Sequence, residues 1–462
     1  MKGMTISNIT KACGGDFFGS DAVSDREVSN ITTDSRLVSD GCLFCALKGE
    51  RSDGHDFIAA AARDGAICAL VERTPDVPVP GANYILVPST AAAIQAIAAF
   101  YRSMFSIPFI GVIGSVGKTT MKEMLAAVLS ERYNVLKTEG NFNNELGVPL
   151  TLFRLVDSYK AAVVEMGISD FGEMRRLTRM VRPDMAVFTA VGDSHLRQLG
   201  SLQGVLRAKS EIVEGMSPSS VMFINGDDEI LAAADFGIKT VRFGLGDGCS
   251  PRAVSIKGRG TDGTVCDIIE GENRFSITIP FFGIHMVYAA LGAWSVARSM
   301  GLSADEITSG IKKYSAAGGR SGVVRGSFCT VIDDCYNANP TSTISALRSL
   351  GALPGRRVAI LGDMLELGDE EKLLHRSVGI AAEDQGIELV LTFGSLSGYI
   401  SGGKSEAGST LFLHYNDKAE LIKALPKHIT KNDTVLVKAS HSMRFGEIVE
   451  ALRSLQSRSP AE

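Results

Sequence analysis

The residues with the clearest capacity for chemistry are residues 111–120, Gly-Val-Ile-Gly-Ser-Val-Gly-Lys-Thr-Thr. An apolar run at residues 109–113 leads into them and apolar residues at helical spacing follow, which predicts a strand, a loop and a helix. Glycines let several backbone N–H groups point at one anion, and the helix adds its positive end. Lys118 supplies a mobile cation for phosphate groups, and Thr119 supplies a hydroxyl for Mg²⁺.

This segment predicts a phosphate-binding loop for ATP and Mg²⁺. It departs from the strict GxxxxGK[ST] pattern, because residue 112, where the pattern has its first glycine, is valine, and the additional glycine is Gly114. A purely structural turn is the alternative, but glycine and lysine followed by two threonines between a strand and a helix favour nucleotide binding. The residues expected to bind ATP here are Gly114, Ser115, Val116, Gly117, Lys118, Thr119 and Thr120.

Two further polar side chains follow apolar runs of the same region. Glu165 ends the run at residues 161–165, and His195 follows the run at residues 185–189. The carboxyl ends of parallel strands share one edge of a sheet, so Glu165 is placed to supply an oxygen ligand to a metal nucleotide. His195 is placed to reach the same crevice. The alternatives are a solvated acid at a strand end and a structural histidine.

The last third of the chain contains two polar runs that also follow apolar strands. Residues 333–340 read Asp-Asp-Cys-Tyr-Asn-Ala-Asn-Pro, and residues 362–368 read Gly-Asp-Met-Leu-Glu-Leu-Gly. Such runs are solvated or bind a polar group; the alternative for the first is that Asn and Asp cap a helix that starts at Pro340. Loops that converge from separate strands describe a cleft between domains.

The elements that must position these residues form an α/β protein of three domains. The length of 462 residues agrees with three units at about 150 residues each. We predict domains at residues 1–107, 108–317 and 318–462, since strands and helices alternate in the second and again in the third. The second is a parallel sheet with a β-ribbon insertion at residues 249–280, and the third is Rossmann-like.

Composition excludes several classes of protein. Lys plus Arg is 47 and Asp plus Glu is 52, so the net charge is −5, which is not the basic balance of a general nucleic-acid binder. Phosphate recognition must therefore be local. The hydrophobic share of 45% and charged share of 21% are those of a globular chain that folds throughout most of its length.

No membrane span or secretory signal is predicted, so we expect a cytoplasmic protein. The most apolar long segment, residues 281–297, contains His285 and is predicted to be a buried helix. The eight cysteines are expected to be reduced thiols in the core. Cys42 and Cys45 form a CxxC, but on a strand their side chains point to opposite faces, and no second CxxC completes a zinc site.

Four motifs together resemble the Mur ligases. They are the loop at 114–120, Gly-Asn-Phe-Asn-Asn-Glu-Leu-Gly-Val-Pro at 140–149, Asp-Cys-Tyr-Asn-Ala-Asn-Pro at 334–340 and the run at 362–368. The likeness extends from about residue 30 to about residue 450. The last two motifs favour the branch of the family that joins D-Ala-D-Ala to UDP-MurNAc-tripeptide.

The resemblance implies a role for each domain: UDP binding in the N-terminal one, ATP binding in the central one and amine binding in the C-terminal one. UDP contacts are then expected at Ser35 and Arg36, within Thr-Asp-Ser-Arg at 33–36. Lys209 matches the family's carbamylated lysine, and a carbamate is an anion that ligates a metal where an ammonium would repel it. The implied metal ligands are Thr119, Glu165, His195 and Lys209, and the implied catalytic residues are Lys118, Lys209, His195 and Glu165.

The remaining implied contacts divide between nucleotide and substrate. Those expected to contact ATP outside the loop are His285, Arg320, Asp334, Tyr336 and Asn337. Those expected to contact the other substrates are Asn141 and Asn144 for the muramoyl part, and Asn339 near the amine acceptor. The chain departs from the family pattern at Arg197, Met286, Tyr288 and His441. These departures imply that adenine is held more by stacking than by amide hydrogen bonds.

The implied reaction makes an amide through an acyl phosphate formed with ATP, with a monomer as the acting species. Two other functions within enzymes are a sister ligase that adds one amino acid and a folylpolyglutamate-type ligase. From another class, a non-catalytic ATP-binding module would use the nucleotide only to close its domains around a protein partner. The identity of the amine that stimulates ADP formation distinguishes these readings.

Overall fold

The structure of the chain is a computed structural model that describes residues 1–49, 52–75, 79–316, 318–320, 322–405 and 408–456. Four sheets lie in this described part of the chain, and they hold five, six, three and six strands in chain order. The three larger sheets are layered with helices, which confirms the predicted α/β class. Each of these sheets belongs to a separate unit of the chain.

The N-terminal unit is a five-stranded sheet in the order β1-β5-β4-β3-β2. Only β1 runs antiparallel to its neighbour; the other described pairs are parallel. Cys42 and Cys45 are buried at β3 as free thiols. The elements are β1 (Asp16–Phe18), β2 (Ile31–Thr32), β3 (Leu43–Cys45), β4 (Cys68–Val71) and β5 (Tyr84–Leu86), with α1 (Ile6–Cys13), α2 (Asp21–Ser24), α3 (Ile58–Arg63) and α4 (Thr90–Ser103).

The central unit is a six-stranded parallel sheet in the order β11-β10-β9-β6-β8-β7. Three of its inner strands, at residues 109–113, 161–165 and 185–188, are buried along their whole length, as expected for a parallel sheet covered on both faces. The strands are β6 (Phe109–Ile113), β7 (Val135–Lys137), β8 (Ala161–Glu165), β9 (Met185–Phe188), β10 (Val221–Asn225) and β11 (Lys239–Phe243). The helices are α5 (Lys118–Leu129), α6 (Gly147–Leu152), α7 (Glu173–Val181), α8 (Leu196–Leu199), α9 (Leu202–Ser210) and α10 (Glu229–Ala232).

The strand order brings the functional loops together. Strand β6 lies between β8 and β9, with Val112 opposite Glu165 and Ile113 opposite Phe188. The phosphate loop therefore leaves the sheet beside the ends of two neighbouring strands. Parallel strands place all of these ends at one edge, where a ligand site is expected.

The predicted β-ribbon at residues 249–280 is a three-stranded antiparallel sheet, β12 (Arg252–Gly258), β13 (Thr264–Glu270) and β14 (Asn273–Ile279). It packs on α11 (Ile284–Ser299), which is followed by α12 (Ala304–Lys313). The Trp294 ring on α11 is fully buried and lies 5.1 Å from that of Phe275, centroid to centroid. The apolar segment at 281–297 is thus mostly a buried helix. Among the described residues, no helix combines the length and the apolarity that crossing a bilayer requires.

The C-terminal unit is a six-stranded sheet in the order β15-β16-β20-β17-β18-β19, parallel except for the β15–β16 pair. The predicted boundary before it falls at residue 317, which lies outside the described residues. The strands are β15 (Gly322–Arg325), β16 (Thr330–Asp333), β17 (Arg357–Gly362), β18 (Leu389–Phe393), β19 (Leu411–Tyr415) and β20 (Thr434–Lys438). The helices are α13 (Pro340–Gly351), α14 (Glu371–Asp384), α15 (Lys418–His428) and α16 (Gly446–Gln456).

Candidate active site

The loop between β6 and α5 has the backbone shape that anion binding requires. Gly114 and Gly117 have φ values of 142° and 78°, which residues with a side chain rarely adopt. A Cβ atom on Gly114 would also lie 2.0 Å from Thr189 Oγ1, so only glycine fits there. The Lys118 ammonium folds back and donates to the Gly114 carbonyl at 2.8 Å. Burial lowers the pKa of this ammonium below its ordinary value.

Glu165, at the end of β8, is the centre of the site's hydrogen bonds. Its carboxylate is 2% exposed, so it is not a solvated strand-end acid. The Thr119 hydroxyl donates to Oε2 at 2.9 Å, and the Asn143 amide donates to Oε1 at 2.9 Å. The hydroxyl and the carboxylate expected to hold Mg²⁺ are thus within hydrogen-bond distance of each other.

Lys209 on α9 is buried beside this site. It is 1% exposed, and in the described part of the chain no carboxylate lies within ion-pair distance of its ammonium. Burial, reinforced by the nearby charge of Lys118, holds the pKa of the Lys209 amine well below its ordinary value. Burial also lowers the pKa of His195, and the charge of Lys209 lowers it further.

The C-terminal unit supplies the facing wall. The Lys438 ammonium donates to Asp334 Oδ2 at 2.5 Å and to the Asn337 carbonyl at 3.0 Å, which fixes the polar run after β16. The Arg320 guanidinium lies 4.0 Å from the centroid of the Tyr336 ring. Asn339 is the N-cap of α13 and accepts from the Ser342 N–H at 2.8 Å, so the helix-cap interpretation holds for this residue.

Two side-chain contacts join the central and C-terminal units at the rim of the site. The His195 ring lies 3.1 Å from the Glu366 carboxylate, measured from Nδ1 to Oε2. The Thr341 hydroxyl donates to Asp193 at 3.2 Å. Residues of the loop after β9 are therefore held by residues that follow β16 and β17.

Between these walls lies a cavity of about 730 Å³. Of the predicted residues, those lining it are Ser115, Val116, Gly117, Lys118, Thr119, Thr120, Asn144, Glu165, His195, His285, Arg320, Asp334, Tyr336, Asn337 and Asn339. Gly114 and Lys209 do not line it, and neither does Asn141, an exposed loop residue. Ser35 and Arg36 belong to the N-terminal unit, where Arg36 pairs with Asp34 at 2.6 Å, and they are also not part of the cavity. Their assigned roles stay predictions.

His285 leaves an unused polar atom at the cavity. Among the described residues, no hydrogen-bond partner is present for its buried Nε2, and burial lowers the pKa of the ring. A neutral imidazole in this state offers one hydrogen bond to a bound ligand. The two departures beside it do not line the cavity: Met286 is buried, and the Tyr288 hydroxyl donates to Asp227 at 2.9 Å.

Three polar residues at or next to the site are not among those predicted from the sequence. Asn143 lies within the motif at 140–149, Lys438 ends β20 in the cavity wall, and Lys122 is buried one helical turn after Lys118. The two lysines of α5 are four residues apart, which places both on one helix face, and this spacing is visible in the sequence. Nothing local in the sequence shows that Lys438 pairs with a residue about a hundred positions earlier.

The residues present fit a magnesium site built from mixed ligands. In the described ranges, no cluster of three or more His, Cys, Asp or Glu side chains is arranged to hold a metal. The oxygen donors at the loop are instead the Thr119 hydroxyl and the Glu165 carboxylate, which are the hard ligands that Mg²⁺ prefers.

Asp363 in the run at 362–368 has a structural role. It is 4% exposed and accepts from three backbone N–H groups after β18: those of Ser395 at 3.0 Å, Leu396 at 3.0 Å and Ser397 at 2.7 Å. We expect Asp363→Ala to lower the free energy of unfolding of this unit by about 3 kcal/mol or more, because each buried donor left unpaired costs about 1–3 kcal/mol. Urea denaturation followed by circular dichroism measures this.

The exposed Asp369 is the matched control for that substitution. Asp369→Ala removes the same group from the surface, and its effect is expected to be within about 0.5 kcal/mol. Equal stabilities of the two variants would contradict the structural role of Asp363.

Three family models match the chain in succession. The Mur ligase family catalytic domain matches residues 27–102, the Mur ligase middle domain residues 112–297, and the Mur ligase glutamate ligase domain residues 319–441. Together with the relatives described next, these matches show that the chain belongs to the Mur ligase family.

Full-length relatives carry a more particular name. The UDP-N-acetylmuramoyl-tripeptide–D-alanyl-D-alanine ligase of Bacillus subtilis is 36% identical over 97% of this chain and 98% of the relative. The Escherichia coli enzyme of the same name is 36% identical, over 98% and 99%. A crystal structure of MurF from Acinetobacter baumannii aligns with a TM-score of 0.89, 29% identity and coverage of 98% and 99%. MurF ligase from Thermotoga maritima in complex with ADP aligns with a TM-score of 0.83, 27% identity and coverage of 92% and 97%.

Proposed function

We propose that the chain is a UDP-N-acetylmuramoyl-tripeptide–D-alanyl-D-alanine ligase that uses ATP. The observation that carries this proposal is the cavity in which the phosphate loop, with Lys118 and Thr119, faces Asp334 and Asn337 of another unit. A ligase needs such an arrangement, because it must hold a nucleotide and an amine acceptor against one carboxylate. The named relatives support the choice of substrates, and the ADP complex supports the nucleotide.

The reaction has two steps, the formation of an acyl phosphate and the formation of the amide. The terminal carboxylate of UDP-MurNAc-tripeptide attacks the γ-phosphorus of ATP, and the bond to ADP breaks to leave an acyl phosphate. The amine of D-Ala-D-Ala then attacks the carbonyl carbon, phosphate leaves, and the amine loses its proton. This route is required because a free carboxylate has no adequate leaving group.

The side chains at the loop contribute mainly by stabilising charge and by positioning the nucleotide. Lys118 holds the β- and γ-phosphates and neutralises charge on the transferred group. Magnesium would be held by Thr119, Glu165 and His195, and when bound it supplies further charge neutralisation. Arg320 and Asp334 hold the nucleotide from the facing wall, which excludes the water that would otherwise hydrolyse the acyl phosphate.

Lys209 acts in this proposal as a carbamate. Its depressed pKa leaves a fraction of the amine neutral, and only a neutral amine attacks CO₂, releasing a proton as the carbamate forms. The product carries a negative charge where Lys209 otherwise adds a second cation next to Lys118. Burial protects the carbamate from hydrolysis, and one of its oxygens would serve as a ligand to the metal.

The remaining substrate contacts lie partly in the cavity, at Asn144 and Asn339, and partly outside it. Ser35 and Arg36 bind the UDP end, Asn141 and Asn144 contact the muramoyl part, and Asn339 lies where the amine enters. We further propose that the chain acts in the cytoplasm as a monomer. Its net charge of −5 agrees with small-molecule substrates rather than nucleic acid.

Phosphate release with UDP-MurNAc-tripeptide, with and without D-Ala-D-Ala, tests the function. We expect release that depends on D-Ala-D-Ala and a product mass that equals the two substrates less one water. Stimulation by a single amino acid instead would indicate a sister ligase, and stimulation by glutamate with a folate substrate a folylpolyglutamate-type ligase. ATP binding without any amine-dependent release would indicate a non-catalytic module.

A further inference from the structure

A buried lysine that the proposed reaction does not use lies directly beneath the phosphate loop. Lys122, on α5, is 1% exposed, and its ammonium lies 3.1 Å from Glu123 Oε1 and 3.7 Å from Glu165 Oε2. It follows Lys118 by four residues, so both lie on one face of the helix. Lys118 faces the cavity, whereas Lys122 does not line it.

Burial of this ammonium requires compensation, because an unpaired charge inside a protein costs several kcal/mol. Two carboxylates supply it, and the second oxygen of Glu123 pairs with the ammonium of Lys137. The cluster thus holds two cations, Lys122 and Lys137, and two anions, Glu123 and Glu165. An apolar side chain of similar length would fill the same space and would not need these ion pairs.

The three contacts on Glu165 fix its carboxylate from different directions. Asn143 donates to Oε1, Thr119 donates to Oε2, and the Lys122 ammonium lies 3.7 Å from Oε2. With these partners, rotation of the carboxylate separates at least one favourable pair. Glu165 lines the cavity, whereas Lys122 does not.

We propose that Lys122 is a positioning residue that orients Glu165 for the metal nucleotide, and that its contact with Glu165 is what distinguishes it from the other cation of the cluster. This inference rests on the proposed function, since it assigns Glu165 to the metal. Partners that orient metal ligands in this way contribute about 10–100-fold to metal affinity.

Lys137 provides a matched control within the same cluster. It pairs with Glu123, as Lys122 does, but it has no ion pair with Glu165, and 43% of its side chain is exposed. Lys137→Met therefore removes an equal charge from the cluster and leaves the Glu165 contacts in place. A general effect of cluster charge would appear in both variants.

The experiment measures binding of Mn²⁺ to full-length protein with a non-hydrolysable ATP analogue, by the electron paramagnetic resonance signal of free Mn²⁺. The proteins compared are the wild type, Lys122→Met, Lys122→Gln and Lys137→Met. We expect a Kd for Mn²⁺ about 10–100-fold higher in both Lys122 variants and unchanged in Lys137→Met. Circular dichroism and thermal unfolding establish that each variant folds.

Several results would overturn the inference. Folded Lys122 variants that bind Mn²⁺ as the wild type does would show that the lysine only fills space. Tighter Mn²⁺ binding would show that its charge only repels the metal, and an equal loss in Lys137→Met would show an effect of net charge. If neither Lys122 variant folds, the lysine is a structural residue. A wild type that binds no Mn²⁺ with the nucleotide would instead reject the proposed function itself.

Discussion

Lys118→Ala is expected to eliminate ADP release while the protein remains folded. Lys118 is the one cationic residue of the loop at 111–120, and removal of one electrostatic contact to a phosphate costs about 10²–10³-fold in rate. Here the loss is expected at the upper end, because the ammonium also donates to the Gly114 carbonyl at 2.8 Å and so shapes the loop. Coupled-enzyme detection of ADP with all substrates present measures the effect.

Lys160→Ala is the control for this substitution. Lys160 is exposed, and its ammonium donates to the Asp157 carbonyl three residues away. Its removal is expected to leave ADP release unchanged. Undiminished ATP turnover in Lys118→Ala would reject the assignment of the phosphate loop.

The second large effect is expected from Lys209→Ala, which should lose activity and regain part of it when short carboxylic acids such as acetate are added. The substitution leaves a small space near His195 and Lys118, and an added carboxylate restores there the anion that a carbamate would supply. Activity measured against acetate concentration, at constant ionic strength, gives the extent of rescue.

The control tests whether acetate rescues only the Lys209 variant. Lys118→Ala lacks a cation rather than an anion, so acetate should not restore its activity. Wild-type rates in Lys209→Ala without additives would remove this residue from the site. A loss that no carboxylate reverses would contradict the carbamate and leave a structural lysine.

The parts of the fold that the sequence predicts are those with strong local patterns. The strand, loop and helix at 109–129 combine an apolar run, glycines and helical spacing, and the structure has β6 and α5 there. Glu165 could be placed because parallel strands end at one edge. Family membership and the three-unit α/β architecture are confirmed by the matching relatives and structures.

Short edge strands and long-range contacts could not be predicted in the same way. Strands β7 and β11 are partly exposed and contain both polar and apolar residues, so neither the two-residue period of a strand nor the 3.6-residue period of a helix is clear. The pairing of Lys438 with Asp334 depends on β20 lying beside β16 in one sheet, and no local pattern encodes that strand order. The pairing of Thr341 with Asp193 depends on how two separate units pack. The burial of Lys122 was missed because lysine is normally a surface residue.

The sparse contacts at the rim have a consequence for inhibition. Between the described parts of the two units, the direct side-chain pairs are His195 with Glu366 and Thr341 with Asp193 at the rim, and Arg325 with Asp262 outside the cavity lining. Such partly exposed polar pairs are each worth about 1 kcal/mol or less. The two walls of the cavity therefore separate at a small cost in free energy when the product leaves. A compound that touched both walls at once would tether them and slow its own departure, so its residence time would exceed what its contacts with either wall alone would give.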